Sequence, residues 1–235
     1  MRAERSGASG LGVQFLLQGL RNGAATGAVW PSGRPLVEAM VTPALRRRDG
    51  GPLRILEVGA GVGPISAELG RRLRPDDHLD VAELNPTFCA TLRSVLGHLP
   101  NVRVHEGDVL DLRADPYDHV VSALPIANFP AATARAVYAK LLGLLRPDGT
   151  LVSFHHVGLR RLVAATAPRD QRVRMRAIAR MERALAPLVV ERTLVARNLP
   201  PSWVIVRRRP AGDPRHGSSG PMRAWRGVRR RAPLR

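Results

Sequence analysis

The residues with the most chemistry to offer start at Glu57, in the run Glu57-Val58-Gly59-Ala60-Gly61-Val62-Gly63 followed by Pro64. Glycines in this alternation let the chain turn sharply and let a ligand lie directly against the backbone. A dinucleotide-binding loop has the spacing G-x-G-x-x-G. Here the third glycine comes one residue early, and Pro64 stands where that loop needs Gly or Ala. Two further acids follow, Glu83 and, in Glu106-Gly107-Asp108-Val109, Asp108. One ionised carboxylate accepts two hydroxyl protons at once, so a single acid can hold a pair of hydroxyls. Downstream lie the segment Ser122-Ala123-Leu124-Pro125-Ile126-Ala127-Asn128-Phe129-Pro130 and the pair His155-His156, which reads as loop polar groups rather than catalysts.

Such residues need a scaffold, and the apolar pattern supplies one. From residue 53 onward short apolar runs alternate with amphipathic stretches, as in a parallel sheet flanked by helices. Strands are expected near Leu53–Val58, Leu79–Glu83, Val102–Glu106, His119–Ala123 and Thr150–Phe154, and helices near Pro64–Leu73, Pro86–Leu96, Ala131–Leu145 and Arg169–Leu185. Two β-rich runs, Leu188–Ala196 and Trp203–Arg208, flank a turn at Asn198–Ser202 and read as an antiparallel hairpin closing one edge. The acids and the glycine loop then fall at the ends of three successive strands, the edge where open α/β sheets bind ligands. Ahead of this domain, Val13, Leu16, Leu17 and Leu20 fall at helical spacing. A helix from Gly12 to Arg21 is too short to stand alone in water and needs a surface to cover, either the protein core or a lipid interface. Gln14 and Gln18 interrupt the stretch and argue against a secretion signal. The expected organisation is an N-terminal region over 1–50, a ligand-binding domain over 51–206, and an Arg-, Gly- and Pro-rich tail over 207–235 whose composition cannot offset the entropy of ordering.

The loop Glu57–Gly63 resembles motif I of class I S-adenosylmethionine (SAM)-dependent methyltransferases, E/D-x-G-x-G-x-G. The resemblance implies a Rossmann-like, doubly wound, mostly parallel seven-stranded α/β sheet with a C-terminal antiparallel hairpin, and SAM as cofactor. It assigns cofactor binding to Glu57, Gly59, Gly61, Gly63, Glu83 (ribose hydroxyls), Asp108 (adenine amino group), Val109 and Leu124, with no metal. Within that class, Ser122–Pro130 is similar to the S-x-L-P-x-x-N-F-P segment of bacterial phospholipid N-methyltransferases, which methylate phosphatidylethanolamine. Gly27-Ala28-Val29-Trp30-Pro31-Ser32-Gly33-Arg34 resembles that family's G-A-x-x-P-S-x-R segment, and Asn198-Leu199-Pro200-Pro201-Ser202-Trp203-Val204 resembles its N-x-P-P-A-x-V turn. The resemblance also gives Val13–Leu20 the role of docking on anionic lipid; the arginine tail is not a family feature.

Methyl transfer from a sulfonium is an in-line displacement that asks for alignment with a neutral amine and exclusion of water. An amine with a pKa of ~10.4 is neutral in about one part in two thousand at pH 7, so deprotonation costs roughly 4–5 kcal/mol. Burial and a nearby sulfonium both lower that cost, and no dedicated base stands out in the sequence. Asn128 would orient the amine through its side-chain carbonyl, and Phe129 would hold the methylated ammonium by a cation–π attraction of about 0.5–2 kcal/mol. The other reading of the pair is a core Phe129 and an Asn128 that caps the next helix.

Charge narrows the partners. The formal net charge is +18, Lys140 is the single lysine, and Arg207–Arg235 carries half of the excess. Such an excess expects a polyanion, nucleic acid or an anionic membrane surface. Arg169, Arg172, Arg176, Arg180 and Arg183 are spaced three or four apart and share one face if helical, either a solvated face or an anionic-surface contact. The lone Cys89 excludes an internal disulfide and fits a reducing cytoplasm, and no apolar run reaches the roughly 18 residues of a transmembrane helix. The expectation is a cytoplasmic enzyme, peripheral on the inner face of the membrane, that methylates phosphatidylethanolamine or its methylated derivatives. The competing readings are an RNA adenine N-methyltransferase, against which stands Ile126 where a base-stacking ring is needed, and a SAM-fold binding protein without catalysis.

Overall fold

A computed structural model describes residues 33–157 and 169–211. The N-terminal amphipathic stretch Val13–Leu20, most of the Gly27–Arg34 segment and nearly all of the 207–235 tail lie outside the described residues. The elements run α1 (Arg34–Ala44), β1 (Arg54–Val58), α2 (Pro64–Arg72), β2 (His78–Glu83), α3 (Pro86–Leu96), β3 (Val102–Glu106), β4 (Tyr117–Ser122), a one-turn 3-10 helix (Ile126–Asn128), α4 (Ala131–Gly143), β5 (Leu145–His156), α5 (Arg169–Ala184), β6 (Val189–Val195) and β7 (Ser202–Arg208). The seven strands form one sheet in the order β3-β2-β1-β4-β5-β7-β6. Its first five strands are parallel, and β7 runs antiparallel to both β5 and β6. This is the class I methyltransferase fold, with the expected hairpin at the β6 edge.

Side-chain alternation along the strands sorts the core into two clusters. Ile55, Leu79, Val81, Val121 and Val152 join Leu36, Met40 and Val41 of α1, Leu69 of α2 and Leu92 and Leu96 of α3. Leu56, Val58, Val120 and Leu151 join Val137 and Leu141 of α4, Ile178 and Met181 of α5, and Leu185 just after it. Helix α1 was not anticipated from sequence. Pro35 opens it, Leu36, Val37, Met40, Val41 and Ala44 are buried, and Pro43 sits in its last turn, where a proline usually warns against a helix.

One boundary also moves. The Ala131–Leu145 helix stops at Gly143, and Leu145 begins β5, paired with Tyr117. The pairing register shifts between Tyr117 and His119 as Asp148, at φ 62°, and Gly149 turn the strand.

No helix stands between β3 and β4 among the described residues, so the β2–β3 part of the second face is covered only by loop. Polar groups collect there. Asp80, 3% exposed, accepts from the Tyr117 hydroxyl at 2.9 Å and from His105 Nε2, with His78 Nε2 3.3 Å away. Burial pushes the Asp80 carboxyl up, but the His105 and Tyr117 hydrogen bonds outweigh it and hold the pKa below its usual value.

Candidate cofactor and acceptor site

The glycine loop lies across the C-terminal ends of β1 and β4. Gly59, Gly61 and Gly63 all have positive φ, at 76°, 59° and 88°, a region that L side chains enter at a cost. Their surroundings differ. A Cβ on Gly59 would sit 2.7 Å from Leu124 Cδ2, and one on Gly63 2.7 Å from Leu92 Cδ2, so these two glycines are required by packing. A Cβ on Gly61 would meet nothing within 4 Å. Gly61 is therefore where the backbone faces open space, and where a ligand can approach it.

Glu57 closes β1 from below with no exposure at all. Ser66, in the first turn of α2, donates its hydroxyl to Oε2, while Oε1 is buried without a partner among the described residues. Burial pushes the Glu57 carboxyl up to about 8; the Ser66 bond opposes the rise and the charge of Glu83 adds to it.

Glu83, at the end of β2, is 5% exposed. Its Oε1 accepts from the amides of Leu84 and Asn85, each at 2.9 Å, and its Oε2 from the Gly61 amide at 2.9 Å. A carboxylate has about four acceptor positions, so one remains, on Oε2, beside Gly61. Asp108, after β3, accepts from Leu110 N at 2.9 Å, and neighbouring Val109 is buried. Glu57, Glu83, Asp108 and Leu124 thus lie at one end of the sheet, with Leu124 packed onto the loop itself.

The Ser122–Pro130 segment leaves β4 beside this loop. Asn128 is exposed, in the 3-10 turn. Phe129 is 2% exposed, in the second core cluster with Val137 and Tyr138. An ammonium needs an open ring face, so the cation–π role expected of Phe129 does not hold in this structure; the ring anchors the segment. Nor does Asn128 cap α4, whose N-cap is Pro130 with no side-chain cap.

Two segments singled out in the sequence also meet. A Cβ on Gly33 would lie 3.2 Å from Asn198 Oδ1. Asn198 Nδ2 donates to Pro200 O at 2.8 Å and to Ser202 Oγ at 3.1 Å, and His156 Nδ1 is 2.9 Å from that same Oγ. His156 pairs with Ser202 across the β5–β7 ladder, which places this cluster at the same edge as the glycine loop.

Sequence reasoning missed a buried ionic network below the site. Arg207 of β7, 1% exposed, donates to Ser153 Oγ at 2.9 Å and to Glu182 of α5, which also accepts from the Tyr138 hydroxyl at 2.7 Å. The available signal was Glu182, the lone acid among the arginines of the last two turns of α5.

Residues 55–149 match the family described as "Methyltransferase domain". The ornithine lipid N-methyltransferase of Singulisphaera acidiphila is 36% identical over 103 residues, which is 41% of this chain and 54% of that protein. The probable ribosomal RNA small subunit methyltransferase A of Methanosarcina acetivorans is 33% identical over 92 residues, 39% of this chain and 33% of the relative. The chain thus spans only a third to about half the length of these curated relatives.

Among solved structures, the N-methyltransferase NodS from Bradyrhizobium japonicum in complex with S-adenosyl-L-homocysteine superposes with a TM-score of 0.53 at 19% identity, over 74% of this chain and 84% of its own. The O-methyltransferase TomG from Streptomyces achromogenes in complex with SAM gives a TM-score of 0.56 at 21% identity, over 83% and 89%.

Proposed function

We propose that this methyltransferase domain carries SAM and uses it to methylate the amine of a lipid headgroup, phosphatidylethanolamine or its methylated derivatives, as a peripheral enzyme on the inner face of the membrane. The observation that carries this reading is the contact between the two motifs. Leu124, from the segment that resembles a lipid-amine enzyme, packs against Gly59 of the cofactor loop, so a ligand on that loop and an acceptor beside Asn128 share one edge. The ornithine lipid N-methyltransferase relative supports a lipid amine as acceptor class.

The residues present fit SAM. Gly61 leaves the backbone open, Glu83 keeps an acceptor position beside it, and Glu57 holds a buried oxygen without a donor. When bound, SAM supplies an electrophilic methyl group. The chain's part is alignment and exclusion of water: Glu83 takes hydroxyls, Asp108 faces the base, Val109 and Leu124 wall the cleft, and Asn128 orients the amine through its carbonyl.

Helix α5 supports the membrane as partner. Arg169, Arg172, Arg176, Arg180 and Arg183 are all exposed, along about 21 Å of one face at 1.5 Å per residue. Ile178, Met181 and Leu185 are buried on the opposite face. None of the five arginines pairs with an acid among the described residues.

RNA adenine methylation is the second reading, favoured by the ribosomal RNA methyltransferase relative and by the charge. Against it, Ile126 is 9% exposed and brings no ring for a flipped base to stack on. The purified chain incubated with labelled SAM and, separately, with phosphatidylethanolamine liposomes or ribosomal RNA decides between them. Label is expected in lipid; label in RNA and none in lipid overturns the proposal.

A further inference from the structure

We propose that His156 is the proton acceptor for the substrate ammonium, held in the required tautomer by the Asn198–Ser202 turn. The inference rests on the amine-methylating reading above and adds the base that the sequence did not reveal. An ammonium has no lone pair, and freeing one at neutral pH is the costly part of the reaction.

Hydrogen-bond accounting constrains the ring. The Ser202 hydroxyl has one proton and two acceptors in reach, Pro200 O at 3.1 Å and His156 Nδ1 at 2.9 Å. Asn198 Nδ2 donates to the same Oγ. When the hydroxyl proton goes to Pro200 O, Ser202 Oγ accepts from His156 Nδ1. Pro200 O, which also bonds the His156 ring, is purely an acceptor. In this arrangement Nδ1 carries the hydrogen, and Nε2 presents its lone pair. The bond to Ser202 Oγ uses Nδ1 and leaves Nε2 for a further partner.

The position suits the task. Ser153 of β5 is level with Ser122, the last residue of β4, so β5 overhangs the sheet by three further residues, roughly 10 Å. The Ser122–Pro130 segment leaves the sheet alongside that overhang. Phe154, two residues before His156, and Ala123 both pack on the first core cluster, so His156 stands on the face where the acceptor segment begins. The groups facing the ring are the Phe154 edge at 5.5 Å, Ser202, Asn198 and Pro200 O, none of which titrates near neutrality. Burial holds the His156 pKa below its ordinary value, so the ring is neutral at pH 7. In the step, the N–H bond of the ammonium breaks, its proton joins Nε2, and the freed lone pair stays on the amine to form the new N–C bond. The imidazolium then returns its proton to water.

The test uses the whole chain. Ring nitrogen shifts of the wild-type protein at pH 7.5, with His156→Gln to assign the signal, are expected to show a protonated Nδ1 and a bare Nε2. Initial rates on phosphatidylethanolamine vesicles are expected to level off above neutrality for the wild type. His156→Gln should lose about 10²- to 10⁴-fold at pH 7, keep its SAM affinity, and climb about tenfold per pH unit as solution supplies the free amine. A protonated Nε2, or a folded variant within threefold of wild type with the same profile, overturns the proposal. His156→Asn gives the same comparison should the Gln variant fail to fold, and the ring measurement on wild type needs no variant. A wild-type chain that binds SAM and methylates no amine overturns the functional reading and the role of His156 with it. Loss confined to the variant's profile supports both.

Discussion

Glu57→Gln should stabilise the ligand-free protein, by an amount that grows with pH. Glu57 is fully buried, and its pKa of about 8 compares with 4.5 in an ordinary chain. That difference of about 3.5 pH units corresponds to about 5 kcal/mol at ~1.36 kcal/mol per unit. The sign follows from the proton count. A raised folded pKa means that between about 4.5 and 8 the unfolded chain binds fewer protons, so raising the pH favours unfolding. The contribution is whole below about pH 4.5 and is drained once the pH passes about 8.

At pH 7.5 the native protein should therefore have lost about 4 kcal/mol relative to pH 4.5 from this one group. Gln has nothing to titrate, so its curve should lack that slope. Urea unfolding of both proteins at intervals from pH 5 to 8, without ligand, measures the difference. The neutral histidines His119 and His156, whose burial lowers their pKa values, act in the opposite sense and cancel in the comparison. Parallel stability curves would refute a buried, uncompensated Glu57. The same substitution should weaken SAM binding, because a costly buried acid with a free oxygen is the kind of group kept for a ligand.

Gly61→Ala should cost about 1–2 kcal/mol of stability for a left-handed residue yet weaken SAM tenfold or more by calorimetry, since its Cβ would project into open space. A stability loss with unchanged affinity would place the ligand elsewhere. Glu182→Ala leaves Arg207 buried without its carboxylate and should cost about 3–5 kcal/mol in urea unfolding; a loss below 1 kcal/mol would mean that water reaches the guanidinium. Replacing Arg172, Arg176 and Arg180 with Gln should weaken sedimentation with anionic vesicles by about 1 kcal/mol per residue at low salt while leaving SAM affinity unchanged. Equal binding to anionic and neutral vesicles in both proteins would remove α5 from the membrane contact.

The sheet was legible because each strand carries its own apolar run between turn residues. The glycine loop and its neighbouring acids were legible because they are fixed by local backbone needs. What escaped depends on contacts distant in sequence. Arg207 reads as the first residue of a basic tail, yet β5, α4 and α5 converge on it and bury it. His156 looked like a polar loop end because its partner, Ser202, lies 46 residues away in the sequence. Helix α1 was hidden by Pro43, tolerated because the chain turns off the helix there. Phe129 had two readings that local sequence could not separate, and the packing of α4 chose the core.

The arginine excess has a similar resolution. Several arginines of the domain have acids: Arg46 with Glu191, Arg47 with Asp77, Arg72 with Glu38, Arg93 with Glu106 and Arg146 with Asp118. The exposed pairs among these add little stability, but they neutralise the surface where they occur, while Arg47–Asp77 is largely buried. Helix α5 carries five exposed arginines on a single face, none paired with an acid among the described residues. A net charge of +18 spread evenly would favour any polyanion. A stripe about 21 Å long on one rigid helix, braced from behind by the Arg207–Glu182 pair, favours an extended anionic surface, and it ties the helix that would meet that surface to the sheet that carries the site.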